Sequence, residues 1–324
     1  MRRSRRIAFL AIGLAALAVT SRAEYRTNMN FDDALLSVAS PPAGFESDAD
    51  ATRAARKGKI ARTPKLDSVP DNVIVLDNVV YASQEQADLH ADVYRPRIAA
   101  SPSPVLLFVH GGAWDHGNED SFRAWGVHYA QRGYVCVAAT YRLSVVAAYP
   151  AALDDVREAL RWVHSRAGEW GADPARVAVI GQSAGAHLAL LAAYQSVNAP
   201  RVQAVVDFYG PSSLADKPLR TASVVQKFLG GKRYRKHPEV YRNASPMTYV
   251  SAQCPPTLIF HRTVDSRVPV EQSDTLADAL RRENVPFLYD RVDGWQHAMD
   301  QYAEVNAHCL AVMDVFLDRV LGKR

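Results

Sequence analysis

Short apolar runs alternate with amphipathic helical segments from about residue 71 to the end of the chain. Continuous hydrophobicity, typical of strands buried on both faces of a sheet, marks residues 105–109, 134–139, 177–180, 204–208, 258–260 and 287–289. Helical patterns separate these runs, as at 150–167 and 271–282. This alternation predicts an α/β fold with a mainly parallel central sheet and helices on both faces. The earlier segments 73–76 and 89–94 are expected to form an antiparallel edge.

The net charge of +4 at pH 7 comes from the N-terminus. Residues 1–23 contain five arginines and no acidic residue, so the remaining chain carries a net charge of −1. We therefore expect no nucleic-acid partner. The basic cluster precedes an apolar run, 7–19, which is shorter than the roughly 20 residues of a membrane-spanning helix. Small residues at Ser21 and Ala23 complete the pattern of a cleavable signal peptide.

The sequence thus predicts three parts: a signal peptide at 1–23, an N-terminal extension at 24–70 and a catalytic domain at 71–324. The extension is interpreted either as a solvated segment or as a cap over the active site. We expect a periplasmic or secreted protein with no stable membrane insertion after cleavage. An uncleaved membrane anchor is the alternative, and the choice between the general and the twin-arginine export routes stays open, as does the oligomeric state.

The three cysteines, Cys136, Cys254 and Cys309, are too few and too far apart for a disulfide scaffold. The sequence also contains no CxxC or HExxH motif and no cluster of cysteine and histidine residues at the spacing of a metal site. We expect no structural or catalytic metal.

Ser183 is the candidate nucleophile. It lies in Gly181-Gln182-Ser183-Ala184-Gly185, which matches G-x-S-x-G and stands between a predicted buried strand and a predicted helix. The sharp turn strains the serine backbone, and Gly181 and Gly185 avoid Cβ collisions there. Ala184 begins the predicted helix behind the serine. The N-terminus of a helix favours negative charge, so the N–H of Ala184 lies where such charge is stabilised.

A second glycine-containing motif, His110-Gly111-Gly112-Ala113-Trp114, follows the strand 105–109. Paired glycines allow backbone N–H groups to turn toward a bound carbonyl. Together with the N–H of Ala184, those of Gly112 and Ala113 are the candidate oxyanion donors. His110 is interpreted as an organiser of this loop rather than as the base.

The acid and the base are expected later in the chain, in the order Ser, Asp, His. Asp265 and His297 each follow a predicted buried strand. Loops at the carboxyl ends of parallel strands are where such sheets carry their sites. Asp290 and Asp293 are alternative acids. We expect Ser183, Asp265 and His297 to meet at one edge of the sheet.

Residues 71–324 resemble the α/β-hydrolase family, in particular its hormone-sensitive-lipase-like and acetyl-esterase branch. They are also similar to bacterial feruloyl/acetyl-xylan esterases and to isoprenylcysteine methylesterases. The motifs that carry the resemblance are 110–114, 141–143, 149–156, 173–177, 181–188, 245–246 and 261–269. The resemblance implies an α/β-hydrolase fold, Ser183 as nucleophile, Asp265 and His297 as its partners, and oxyanion donors at Gly112, Ala113 and Ala184. Arg262 departs from the family pattern, which usually has glycine there, so the loop that carries Asp265 is expected to have its own shape.

These features predict a serine carboxylic-ester hydrolase that acts on short-chain or aryl esters through a Ser-His-Asp triad and an acyl-enzyme. The expected partner is a small-molecule ester, and no cofactor is expected. The span 211–252 is too short for a large lipase lid, and Trp114 and Tyr209 are the candidate substrate-binding residues. An amidase or formamidase with the same triad is the alternative, and a non-catalytic ligand receptor on this fold is a second.

The export hypothesis predicts that the mature chain begins at Glu24. N-terminal sequencing of protein recovered from the periplasm or the medium measures this directly. A recovered chain that still begins at Met1 would contradict cleavage.

Overall fold

The computed structural model describes residues 24–31, 35, 38, 43–99, 101–195 and 200–322. The predicted signal peptide lies outside these residues, so its cleavage stays a prediction. No helix among the described residues is long and apolar enough to cross a membrane.

The described strands form one nine-stranded sheet in the order β1-β9-β8-β7-β6-β4-β5-β3-β2. Their bounds are β1 Glu24–Thr27, β2 Val73–Gln84, β3 Ala87–Pro96, β4 Ser103–Val109, β5 Val135–Ala139, β6 Ala172–Gln182, β7 Ala204–Phe208, β8 Thr257–Arg262 and β9 Phe287–Val292. The strands from β4 to β9 pair in parallel, whereas β2 and β3 form the predicted antiparallel edge. The predicted fold class is confirmed.

Helices pack on both faces of the sheet, and the sheet separates two hydrophobic clusters. Their bounds are α1 Asp48–Arg56, α2 Arg123–Gln131, α3 Ala151–Arg166, α4 Ala184–Gln195, α5 Ser223–Phe228, α6 Pro238–Asn243, α7 Glu271–Arg282 and α8 Ala303–Leu317. The central strands β4 to β8 are apolar on both faces because each face is covered by helices. The parallel direction brings their carboxyl ends to one edge, where the loops that carry the predicted site residues meet.

The N-terminal segment joins this body at an unexpected place. β1 pairs antiparallel with β9, an edge that the sequence pattern does not predict. Phe31 is buried in the cluster on the α8 face of the sheet. The boundary at residue 71 stays a prediction, but the described parts of 24–70 contact the main body.

Asp207, on β7, is a carboxyl group that is completely buried. Its Oδ1 accepts the Gly210 N–H at 2.7 Å, and its Oδ2 has no hydrogen-bond partner among the described residues. Burial raises the pKa of this carboxyl from 3.8 to about 7, against the Gly210 hydrogen bond and the nearby His261. The fold therefore favours the protonated carboxyl. The contribution of Asp207 to the free energy of unfolding is fully present below pH 3.8 and is lost as the pH rises through about 7.

Asp207→Asn should remove this loss, because a neutral amide of the same shape still accepts the Gly210 N–H. We expect the melting temperature to exceed that of the parent by roughly 5 °C at pH 8.5. The difference should close toward pH 4. Calorimetry at both pH values measures it, and equal differences at the two would show that Asp207 does not titrate in the fold.

Candidate active site

The nucleophile turn is a tight connection between β6 and α4. Ser183 occupies it with a φ of 53°, a strained value for a residue with a side chain. A Cβ on Gly181 would lie 2.4 Å from the Ala186 nitrogen, and one on Gly185 would lie 2.1 Å from the Val109 carbonyl oxygen. These contacts explain in physical terms why both positions need glycine. The Ser183 N–H donates to the Phe208 carbonyl at 2.8 Å, which fixes the turn to β7.

The structure brings Ser183, His297 and Asp265 together at the carboxyl edge of the sheet. Nε2 of His297 lies 2.9 Å from the Ser183 Oγ, and Nδ1 lies 2.6 Å from the Asp265 Oδ2. A carboxylate only accepts, so the His297 Nδ1–H donates to Asp265, and Nε2 is left to accept the serine proton. This is the order of contacts that activates a hydroxyl nucleophile.

The Asp265 carboxylate is held by donors on both oxygens. Oδ1 accepts the backbone N–H groups of Arg267 and Val268 at 2.8 and 2.9 Å. Oδ2, besides its contact with His297, lies 3.4 Å from Nε2 of His261. Burial opposes ionisation, but the hydrogen bonds from the two histidines outweigh it and hold the pKa of Asp265 well below its usual range. The Asp265 carboxyl is therefore ionised at neutral pH.

The two alternative acids are engaged elsewhere. Asp290 is completely buried, 2.9 Å from Nε2 of His308 and 3.6 Å from the Arg262 guanidinium. Asp293 is exposed and lies 3.7 Å from Arg291. Arg262, the departure from the family pattern, thus extends to Asp290 and Cys309.

The loop after β4 presents backbone donors beside the serine. Gly112, Ala113 and Trp114 have φ values of 106°, 52° and 60°, so three successive residues are in the left-handed region. A Cβ on Gly112 would lie 2.0 Å from the His116 carbonyl oxygen. Within the described ranges no group accepts a hydrogen bond from the N–H of Gly112, Ala113 or Ala184. These N–H groups are available to an oxyanion.

His110 supports this loop as a neutral side chain. Its ring stacks on Tyr141 at 4.3 Å between centroids, and its Nδ1 lies 2.7 Å from the Gly111 carbonyl, to which it donates. Burial lowers the pKa of His110 to about 4, despite that hydrogen bond. The side chain has no contact with Ser183 that would make it a base.

Trp114 and Tyr209, the candidate substrate-binding residues, are only 3% and 2% exposed. Trp114 stacks on Phe228 of α5 at 4.5 Å, and its Nε1 donates to Nδ1 of His187 at 3.3 Å. Tyr209 packs against the His297 ring. With so little ring surface free, both residues support the site from within the protein. Their contact with substrate stays a prediction.

The segment that carries His297 contacts the N-terminal extension, which the sequence analysis leaves as either a solvated segment or a cap. The Phe45 N–H donates to the Gly294 carbonyl, and the Phe45 ring packs edge-to-face on Trp295 at 5.3 Å. On the other side, Thr63 donates its N–H to the Gln301 carbonyl at 2.8 Å. No sequence pattern signals these contacts, because they depend on where the extension turns back.

Comparisons with known proteins identify the family of this chain. Residues 91–280 match the family model described as BD-FAE, which is more than half of the chain. The chain belongs to this family. Its sequence is 34% identical over 252 residues to the probable carboxylic ester hydrolase LipM of Mycobacterium tuberculosis, covering 71% of this chain and 58% of LipM. It is 28% identical to a probable isoprenylcysteine alpha-carbonyl methylesterase of Oryza sativa, covering 64% of this chain and 54% of that protein.

Solved structures give the same result for the fold. Esterase Est2 of the planctomycete Thermogutta terrifontis superposes with a TM-score of 0.65 at 25% identity, covering 77% of this chain and 93% of Est2. The chain therefore has the α/β-hydrolase fold that its motifs predict. It spans between 56% and 59% of the length of LipM, LipC and LipQ, three curated mycobacterial relatives.

The contact between the extension and the His297 segment predicts that Phe45→Ala lowers kcat several-fold while KM changes little, because a loosened His297 segment spends less time in the reactive geometry. Initial rates with p-nitrophenyl acetate measure both constants. Trp162→Ala is the matched control, since it removes a similar edge-to-face contact, with Trp170 at 5.0 Å, near the start of β6. Equal kcat values for the two variants would contradict this role of the contact.

Proposed function

We propose that this protein is a serine carboxylic-ester hydrolase that acts on short-chain or aryl esters through an acyl-enzyme. The observation that carries the proposal is the continuous chain of contacts from Asp265 through His297 to Ser183, beside backbone N–H groups that have no acceptor among the described residues. The relatives named as esterases support the same reaction class.

In the first step, His297 Nε2 takes the proton of Ser183 as its Oγ attacks the ester carbonyl. The carbonyl oxygen becomes an anion, which accepts hydrogen bonds from the N–H groups of Gly112, Ala113 and Ala184. Asp265 stabilises the imidazolium. His297 then protonates the departing alcohol, and the C–O bond breaks to leave an ester on Ser183.

In the second step, a water molecule gives its proton to His297 and attacks the acyl-enzyme. The same donors hold the second oxyanion, and the proton returns from His297 to the Ser183 oxygen as the acid leaves. The reaction balances with water as the only co-reactant, and it needs no group beyond the side chains and N–H donors of the site.

The preference for short or aryl esters is supported by the segment between β7 and β8. It is folded down onto the site, since α5 places Phe228 on Trp114, and the Ala244 carbonyl accepts from Nε2 of His187 at 2.7 Å. Burial lowers the pKa of His187 to about 4, so it stays neutral and accepts the Trp114 N–H. A segment committed to these contacts is a poor candidate for a large mobile lid. The predicted signal peptide would place the enzyme in the periplasm or outside the cell.

Ser183→Ala should lower kcat/KM for p-nitrophenyl acetate by roughly 10³-fold or more, with an unchanged melting temperature. Ser144→Ala is the matched control, because the buried Ser144 hydroxyl has no partner among the described residues. A fluorescent alkyl phosphonate should label the parent and the control on Ser183, as found by mass spectrometry, and leave Ser183→Ala unlabelled. The Thermogutta esterase has been solved phosphoramylated by tabun, which is chemistry of the same class.

The substrate range is measured on acetyl, butyryl and octanoyl p-nitrophenyl esters, a feruloyl ester and p-nitroacetanilide. We expect kcat/KM to fall from acetyl to octanoyl and the anilide to be the poorest substrate. An anilide cleaved faster than the acetyl ester would replace the esterase by the amidase alternative. Parent-like hydrolysis by Ser183→Ala would end the proposal.

A further inference from the structure

A second buried carboxyl group lies next to the catalytic contacts and takes no part in the mechanism above. Asp300 follows His297 by three residues and is 7% exposed. Its Oδ1 accepts the Tyr209 hydroxyl, and its Oδ2 accepts Nε2 of Gln182 at 2.5 Å. A single side chain therefore joins three segments of the site: the end of β6, the residue after β7 and the His297 segment.

Both partners of the Asp300 carboxyl group lie next to a member of the Ser183–His297–Asp265 set. Gln182 immediately precedes Ser183, at the last position of β6. The Tyr209 ring lies 4.6 Å from the His297 ring, centroid to centroid, with an interplanar angle of 60°. Tyr209 is itself fixed at a φ of 47°, and its N–H donates to the Phe260 carbonyl at 2.8 Å.

The His297 segment needs such an anchor. It contains Ala298 at a φ of 59°, and His297 does not belong to a strand or helix that would hold it in register. The imidazole is in contact with Ser183 on one nitrogen and Asp265 on the other. Neither contact restrains the tilt of the ring plane, whereas an aromatic side chain packed against it does.

Burying a carboxyl group also costs free energy that an apolar residue would avoid. Burial raises the pKa of Asp300, against the Tyr209 hydrogen bond and the charges of His297 and Arg262. The two donors on its two oxygens offset part of this cost, and both lead to the catalytic chain. An apolar residue of similar size would fill the space without holding either partner.

We propose that Asp300 is a positioning residue, which fixes His297 relative to Ser183 through its hydrogen bonds to Tyr209 and Gln182. The inference rests on the proposed roles of Ser183 and His297. Asp300 contacts neither the substrate carbonyl nor the transferred proton, so its effect falls on the geometry of proton transfer and not on substrate binding.

The test compares variants by kcat and KM for p-nitrophenyl acetate, with phosphonate titration to count competent sites. Asp300→Ala should lower kcat about 100-fold, since small misplacements of a catalytic group have effects of this order, with KM within threefold of the parent. Asp300→Asn should recover most of kcat. Its amide oxygen accepts the Tyr209 hydroxyl, and its NH₂ group donates to Gln182 after that amide turns over.

Tyr209→Phe keeps the ring and removes the hydroxyl, and it should lower kcat about tenfold. Tyr194→Phe is the matched control: it removes a buried tyrosine hydroxyl that contacts the Thr257 Oγ at 2.8 Å, at the start of β8 and away from the site. The double variant Tyr209→Phe/Asp300→Ala should be no slower than Asp300→Ala, because both changes break the same contact.

Parent-like kcat in Asp300→Ala and Tyr209→Phe would overturn the inference. So would an Asp300→Asn enzyme as slow as Asp300→Ala, or a Tyr194→Phe enzyme as slow as Tyr209→Phe. If Asp300→Ala does not fold, the tyrosine pair alone decides the question. Ser183→Ala distinguishes failure of this inference from failure of the proposed function. If Ser183→Ala is inactive and Tyr209→Phe has the kcat of the parent, only the role of Asp300 is overturned. If Ser183→Ala is fully active, the proposed function itself is overturned.

Discussion

Close packing of backbone against backbone at the nucleophile turn is the constraint on which the site depends. The carbonyl oxygen of Val109, at the end of β4, occupies the space that a Cβ on Gly185 would need. The turn after β6 and the loop after β4 are therefore pressed together, and the strained φ of Ser183 is held by its surroundings. Because the proposed oxyanion donors come from both segments, the same packing that strains the serine also places these N–H groups beside it.

The surroundings of two buried carboxyl groups near the site decide which of them contacts His297. Asp265 and Asp290 are both buried carboxyl groups near the carboxyl ends of neighbouring parallel strands. Asp290 is held by Arg262 and His308, which leave it facing α8. Asp265 has two backbone donors on one oxygen and presents the other to His297. Its Oδ2 contacts His297 at 2.6 Å and lies farther, 3.4 Å, from His261.

The fold and Ser183 could be predicted because each has a local signal, whereas Asp265 and His297 follow only from chain order and from their positions after predicted strands, with Asp290 and Asp293 left as alternative acids. Buried strands are continuous apolar runs, and Ser183 stands in a motif whose glycines have a steric reason. The role of Asp300 could not be predicted, because aspartate side chains are mostly exposed to solvent. Its burial is set by Tyr209 and Gln182, which are distant in sequence. The sequence predicts that Trp114 and Tyr209 bind substrate, whereas their burial depends on packing that no local pattern signals.

The segment that carries His297 lies outside the strands and helices, so its position depends on contacts with other parts of the protein. It must hold an imidazole between two partners, yet it connects β9 to α8 through a turn with a positive φ at Ala298. The supports converge at its far end, where the Thr63 hydroxyl donates to the Asp300 carbonyl at 3.2 Å and the Asp300 side chain accepts from Tyr209. The N-terminal extension, through Thr63, and the residue after β7, Tyr209, thus both donate hydrogen bonds to Asp300. The extension thereby restrains the segment that carries His297, and under the proposed mechanism it helps to fix the geometry of proton transfer.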